Sequence, residues 1–370
     1  MANPDIPLLT RRGWIPDLPL SLGNVRLDWD DPDPEAREDT FDGAKEKLLS
    51  YLPSIPGISN PTYSDAVDKY AKPPVFFDAP SYRLLGVDRA VPDAEGGSIG
   101  LHFTMGTYFD WLNTGEVLGY EAARRYAESG GSTIVGPYRE WLANPFDLAR
   151  RCAIPGVNTL TIRNSNHRAI FYLHRRTGVA TARDTVHLVP AGEFQPSGGS
   201  ADGREVGLYL KPTIIREYAE EFLGVKDLVD PANTMSANVT EYAKVESALH
   251  GNTTCRYLGT GLYPLTWKPE ILTVCVFSDS LFDDVFAKME KETYEGHIEG
   301  VGGLRLKDDE RLPRTLFTMF SRKKNRPYQG LPFDEDTVLG YANDPTTLPA
   351  ARACLILAWH HRESLEIHVD

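Results

Sequence analysis

Arg216-Glu217-Tyr218-Ala219-Glu220-Glu221-Phe222-Leu223-Gly224 is the stretch on which the reading of this chain turns. As a helix it sets Glu217, Glu220 and Glu221 at i, i+3 and i+4, so three carboxylates share one side. Tyr218 and Phe222 are interleaved with the acids, and Gly224 is placed to close the helix in the left-handed conformation. Like charges crowded in this way cost an isolated helix roughly 0.2–0.5 kcal/mol per pair. A hard divalent cation that shares their oxygens reverses the sign, because such ions are held by a few carboxylates plus substrate phosphate. The plain alternative is a solvated acidic helix face.

The residues upstream favour the first reading. Ala169-Ile170-Phe171-Tyr172-Leu173-His174-Arg175-Arg176 reads as a strand ending in basic residues, and Thr177-Gly178 as a turn. His187-Leu188-Val189-Pro190-Ala191-Gly192-Glu193-Phe194 reads as a second short strand ending in a Pro/Gly loop. The order is strand, turn, strand, glycine loop, carboxylate helix. This order resembles the Nudix hydrolase superfamily, whose signature is a glycine loop leading into a helix of the form Arg-Glu-apolar-x-Glu-Glu-x-Gly. The likeness is clear over about 158–225 and looser to the C-terminus. Two departures stand out. Leu223 is one residue more than the pattern has before its glycine, and the position five intervening residues after Gly192, an acid in the family, is Gly198 here.

The resemblance implies an α/β fold: a Nudix-like α/β/α sandwich with a mixed sheet over 151–370. An N-terminal arm and α+β extension, 1–150, would pack on it. It further implies Mg²⁺ or Mn²⁺ held by Glu217, Glu220 and Glu221, which would act on a diphosphate linked to an organic moiety. Gly192 would let the loop approach the helix closely, and Arg216 would anchor the helix to the loop. Arg175 and Arg176, with His174, are the candidates for contacting ligand phosphates. A further acid, base or metal ligand is sought among Glu292, Glu295 and Glu299. The competing expectation is a Nudix-like binding or sensor protein without turnover, which Gly198 and Leu223 favour.

Composition bounds the remaining classes. The 370 residues are 41% hydrophobic and 25% charged, ordinary for a globular chain. Net charge is −13, from 39 basic and 52 acidic residues, which argues against a nucleic-acid partner. No apolar run reaches the roughly 18 residues needed to span a bilayer, so no membrane partner is expected. Cys152, Cys255, Cys275 and Cys354 form no CxxC pair and read as four buried thiols in a reducing cytoplasm. The two Asn-x-Thr sequons, at Asn238 and Asn252, then carry no sugar. A homodimer is compatible with the chain.

Residues 1–75, rich in Pro, Asp and Gly, read as a wrapping arm with little regular structure apart from a helix over about 35–52. Residues 99–110 read as a strand, 111–128 as a helix, 254–262 and 270–277 as strands, 281–291 and 346–361 as helices. Phe103, Tyr108, Phe109 and Trp111 are aromatic enough to form a lid over the organic half of a ligand. The basic run 321–326 reads as a solvated loop, and the adjacent His360 and His361 cannot act as an i, i+4 metal pair. No GxSxG, HExxH or Walker-type motif occurs.

Overall fold

In a computed structural model the chain is described over residues 4–30, 40–42, 50–57, 62–73, 76–91, 97–165, 168–176, 184–196, 208–225, 238–250, 254–286, 289, 292–293, 296–299 and 330–369. Strands are numbered in chain order. The main sheet runs, side by side, β1 (Leu20–Ser21), β10 (Thr254–Leu262), β11 (Pro269–Ser278), β5 (Gly156–Asn164), β6 (Ala169–Phe171) and β14 (Leu331–Pro332). The start of β5 pairs instead with β9 (Ala191–Glu193), so β9 and β6 share one edge of β5. A second sheet contains β12 (Glu292–Thr293), β13 (Gly296–Glu299), β7 (Leu173–Arg176) and β8 (Val186–Leu188). A third contains β2 (Val25–Trp29), β4 (Ile99–Thr107) and β3 (Pro80–Val87).

β5 and β11 run parallel and are buried on both faces, which is why they read as apolar and Thr-rich runs rather than as clean alternation. Helices are labelled α1 (Tyr108–Trp111), α2 (Val117–Glu128), α3 (Pro137–Leu142), α4 (Leu210–Glu221), α5 (Asn238–His250), α6 (Asp279–Phe286), α7 (Glu335–Asn343) and α8 (Pro349–His360). On one face of the main sheet, Val157, Cys275 and Phe277 share a core with Ile214 and Tyr218 of α4, with Phe222 just past its end, and with Phe282 and Phe286 of α6. On the other, Leu160, Leu272 and Val274 share a core with Cys354, Leu355 and Ala358 of α8. The chain is therefore an α/β protein with mixed sheets and helices on both sides of the largest.

Several expectations need correction. The strand over 169–176 is two strands in two sheets, broken at Tyr172, whose buried ring stacks on Phe282 at 5.2 Å. The strand over 187–194 is likewise split at Pro190, which has no N–H for a ladder bond. The helix over 111–128 begins at Tyr108 and contains a π turn, Leu112–Glu116, before α2. The helix expected over 281–291 is described as α6, Asp279–Phe286; 287–288 and 290–291 lie outside the described residues, as does most of the helix expected over 35–52. Among its described residues the N-terminal arm contributes short strands to the sheets: β1 joins the main sheet, β2 pairs in parallel with β4, and Leu9 bridges to Leu262. Cys255 and Cys275 face each other across β10 and β11 and are joined by a disulfide, with Cα atoms 4.3 Å apart. Only Cys152 and Cys354 are buried free thiols, so the inference of a reducing compartment loses two of its four supports.

Residues before and after 150 share one core. Tyr82 and Phe103 pack on Phe194, with ring centroids at 4.7 and 5.2 Å, and the Tyr82 N–H bonds the Phe194 carbonyl at 3.0 Å. Removing residues 1–150 would expose this apolar surface. A 159–370 fragment is expected to be poorly soluble, and the whole chain to melt in one transition. A monomeric fragment with a cooperative melt of its own would contradict both.

Candidate functional site

α4 is buried nearly all round, which a free-standing acidic helix would not be. Tyr218 holds it to the sheet: its hydroxyl hydrogen-bonds the Thr161 hydroxyl at 2.8 Å, and the latter donates to the Val189 carbonyl at 2.7 Å. The C-terminus closes as the sequence implies. Gly224 takes φ +66°, in the left-handed region, and the Val225 N–H reaches back to the Ala219 carbonyl at 3.0 Å.

The glycine loop meets this helix directly. Gly192 pairs with Val157 of β5, and a side-chain carbon at Gly192 would collide with the carboxylate of Glu217. Glycine allows this approach with the carboxylate left in place. The Ala191 N–H donates to Glu221 Oε1 at 3.1 Å. The Arg216 guanidinium, 2% exposed, donates to the Glu193 carbonyl at 3.1 Å and the Gln195 carbonyl at 3.4 Å. It also donates to Glu217 Oε1 at 2.6 Å. Arg216 thus ties helix to loop, as expected, and lies 4.0 Å from Glu220. Gly198 lies outside the described residues.

The donor chemistry here fits a hard cation, since all three side chains offer oxygen and Glu217 and Glu221 are each 7% exposed. Their present arrangement is not convergent: among the described residues no three carboxylate, His or Cys side chains come close enough to share a metal ion.

The remaining candidates divide. Arg175 and Arg176 are consecutive in β7 and so point to opposite faces; they cannot jointly clasp one phosphate. Arg175 pairs with Glu299 at 2.7 Å, and Glu299 also accepts from the Tyr341 hydroxyl at 2.7 Å. That network satisfies both oxygens of Glu299, which removes the simplest case for it as a catalytic base. Glu292 starts β12, and Glu295 lies outside the described residues, as does the basic run 321–326. Phe103 is fully buried in the core and is no lid.

A second polar group went unnoticed in the sequence. Gly156 pairs laterally with both Glu193 of β9 and Glu270 of β11, so these side chains flank it on one face of the sheet. The Glu270 carboxylate leans over the glycine, with Oε2 2.6 Å from where a Cβ would be, and accepts from Asn158 Nδ2 at 2.8 Å. The β10–β11 hairpin then carries Lys268 over the Trp111 ring, 4.6 Å from its centroid. The hairpin is docked by Arg139, which donates to the Leu265 carbonyl. The π turn adds Glu116.

Burial raises the carboxyl groups of Glu116, Glu193 and Glu270 above the usual range. Lys268 opposes the rise at all three, and Glu217 adds to it at Glu193. Burial also raises the Tyr108 hydroxyl, reinforced by Glu193 and Glu116. Burial first, then Arg176, His174 and Lys268, hold His187 well below its usual value, so it is neutral. Its buried Nδ1 has no hydrogen-bond partner among the described residues. The signal that could have found this group is weak: single acids at strand ends, beside a glycine that only the register explains.

No protein-family model matches the chain, and no curated protein matches it significantly. No helix among the described residues is long and apolar enough to cross a membrane.

The raised carboxyl groups have a pH consequence. A carboxyl that binds its proton more tightly when folded contributes stability below the unfolded carboxylate range near pH 4. That contribution is lost as pH rises through the higher folded value. Glu116→Gln removes the ionisable group at this position. Its Tm is expected to exceed wild type at pH 8 by on the order of 2 °C, the scale of 1 kcal/mol in a large domain. The gain should shrink toward pH 4. A Tm advantage that is constant from pH 4 to 8, or a loss at pH 8, would show that Glu116 is not held as an unfavourable charge.

Proposed function

We propose that this chain is a Nudix-like, metal-dependent hydrolase that cleaves a diphosphate linked to an organic moiety. The observation that supports it best is the contact between Gly192 and Glu217. A glycine loop is pressed against a carboxylate helix, with Glu221 accepting from the loop and Arg216 bridging the two. In this reading the three-layer arrangement of helices and mixed sheet is the Nudix-like sandwich, and residues 1–150 are an extension packed on it. Glu217, Glu220 and Glu221 would hold Mg²⁺ or Mn²⁺, which when bound supplies charge neutralisation for the diphosphate and activation of water. Binding the ion requires Glu217 to share or release Arg216. The Glu193 and Gln195 carbonyls would keep the guanidinium anchored as that happens. Gly192 would hold the loop backbone beside the diphosphate.

A second reading is a Nudix-like sensor that binds a ligand without turnover. It is favoured by the lack of three convergent ligands among the described residues and by Gly198 in place of an acid.

Hydrolysis of a panel of diphosphate compounds with and without Mg²⁺ separates the two. For an enzyme, Glu221→Gln should lower kcat by roughly 10²-fold or more while KM changes little, since metal-site electrostatics act on charge that grows in the transition state. Silence of the wild-type protein over the whole panel, together with protection against heat by one of its members, would decide for the sensor.

A further inference from the structure

We propose that the Cys255–Cys275 disulfide is a redox-sensitive tether: a small dithiol opens it at Cys255, and opening it loosens the packing of α4 on the main sheet. The inference rests on where the two sulfurs lie and does not depend on α4 holding a metal.

Cys255 of β10 lies opposite Cys275 of β11, and Cys275 lies opposite Thr161 of β5. Residues opposite one another in a sheet share a face, so the three form one row across three strands. That face is the one α4 covers. Cys275 belongs to the same core as Tyr218, Phe277 and Phe286, whereas its chain neighbours Val274 and Val276 belong to the core under α8. The far end of the row is the seat of α4. There the Thr161 hydroxyl meets the Tyr218 hydroxyl at 2.8 Å and donates to the Val189 carbonyl at 2.7 Å. The disulfide therefore closes the same row that seats the carboxylate helix.

The two sulfurs differ in access. Cys275 is fully buried, while Cys255 is partly exposed. β1 pairs with β10 only at Arg256 and Tyr257, and the chain then leaves the sheet in the turn Leu22–Asn24, so β1 stops one residue short of Cys255. An incoming thiolate attacks Sγ of Cys255, forms a mixed disulfide there and expels the Cys275 sulfur, which takes up a proton. The second thiolate of the reductant then attacks its own half of the mixed disulfide and expels the Cys255 sulfur, which is protonated in turn. The protein disulfide gains two electrons and two protons, and the dithiol becomes a disulfide.

Opening the bond changes the room the sulfurs need. Bonded sulfurs stand about 2 Å apart. Two thiols need roughly the 3.5–4 Å of any non-bonded pair of heavy atoms. The Cα atoms, 4.3 Å apart, have the closer of the two spacings in an antiparallel pair, so the thiols press on each other until one turns away. Cys275 is enclosed, and Cys255 is the one free to turn outward. With it the start of β10 loses its side-chain hold on β11. α5 ends at His250, shortly before β10 begins at Thr254, and its Val245, Ala248 and Leu249 pack in the α4 core. Release at Cys255 therefore reaches α4 from two sides, through the row to Thr161 and through α5. The core under α8 contains neither of the two cysteines.

Hydrogen exchange on the full chain tests this, because α4 and α8 lie on opposite faces of one sheet and speed up together only when the whole protein opens. Under native conditions dithiothreitol should open the bond, and iodoacetamide should then label Cys255 ahead of Cys275. Amides of Leu210–Glu221 should exchange roughly tenfold faster in the reduced chain than in the oxidised one, and those of Pro349–His360 should not change. Reoxidation with oxidised glutathione should restore slow exchange. Cys255→Ser should exchange as the reduced chain does and be indifferent to dithiothreitol. A bond that resists dithiothreitol until the chain unfolds, labelling of Cys275 first, unchanged exchange in α4, or equal acceleration of α4 and α8 would each overturn the proposal. So would a chain handled in air whose cysteines are all free thiols. The comparison of oxidised and reduced wild type stands even if Cys255→Ser fails to fold. None of these readouts uses hydrolysis, so a failure of the hydrolase reading leaves the tether in place, and a failure of the tether leaves that reading untouched.

Discussion

The close approach of β9 to α4 at Gly192 is the constraint on which the site depends. Any side chain there would occupy the volume of the Glu217 carboxylate, so either that carboxylate leaves Arg216 or the strand lifts from the helix. Lifting it would break the bond from Ala191 to Glu221 and draw the Glu193 and Gln195 carbonyls away from Arg216. A buried guanidinium that loses its acceptors carries an unfavourable charge of several kcal/mol. The helix, loop and first half of β5 therefore stand or fall together.

β9 also divides two sets of acids. Successive residues of a strand point to opposite faces, so Gly192 faces Glu217 while Glu193 faces away, toward Gly156 and Glu270. The same device serves both sides. Gly192 makes room for Glu217, and Gly156, its diagonal neighbour on β5, makes room for Glu270. The two glycines place one carboxylate above the sheet and another below it within a few residues, an arrangement that no single amphipathic element produces.

Much of the framework was legible in the sequence because it rests on local signals. The carboxylate helix, its glycine cap and the C-terminal helix follow from periodicity and from Gly224 and Pro349, and the long strands from their apolar and Thr-rich composition. The breaks were not legible. Nothing within 169–176 announces that Tyr172 leaves the ladder to stack on Phe282, and the disulfide depends on Cys255 and Cys275 landing opposite each other across a register shifted by a bulge after Tyr257. Arg175 looked like a ligand contact because strand-end arginines face solvent by default; its partner Glu299 is 124 residues away in sequence. The group of acids beside Gly156 was invisible for the same reason. Glu116, Glu193 and Glu270 are unremarkable singly, and only the parallel pairing of β5 with β11 and the antiparallel pairing with β9 bring the last two to one glycine.

The two polar groups are not electrically independent. Glu217 raises the carboxyl of Glu193 through the thickness of β9, and Glu193 in turn raises Glu270. The coupling passes through a strand three residues long whose backbone is held by Arg216 at one face and by β5 along its edge. Rigidity matters here, because a strand free to shift would absorb the change in charge by moving. The same contacts that press the loop onto the carboxylate helix keep Glu193 beside Gly156 and Glu270 on the opposite face of the sheet.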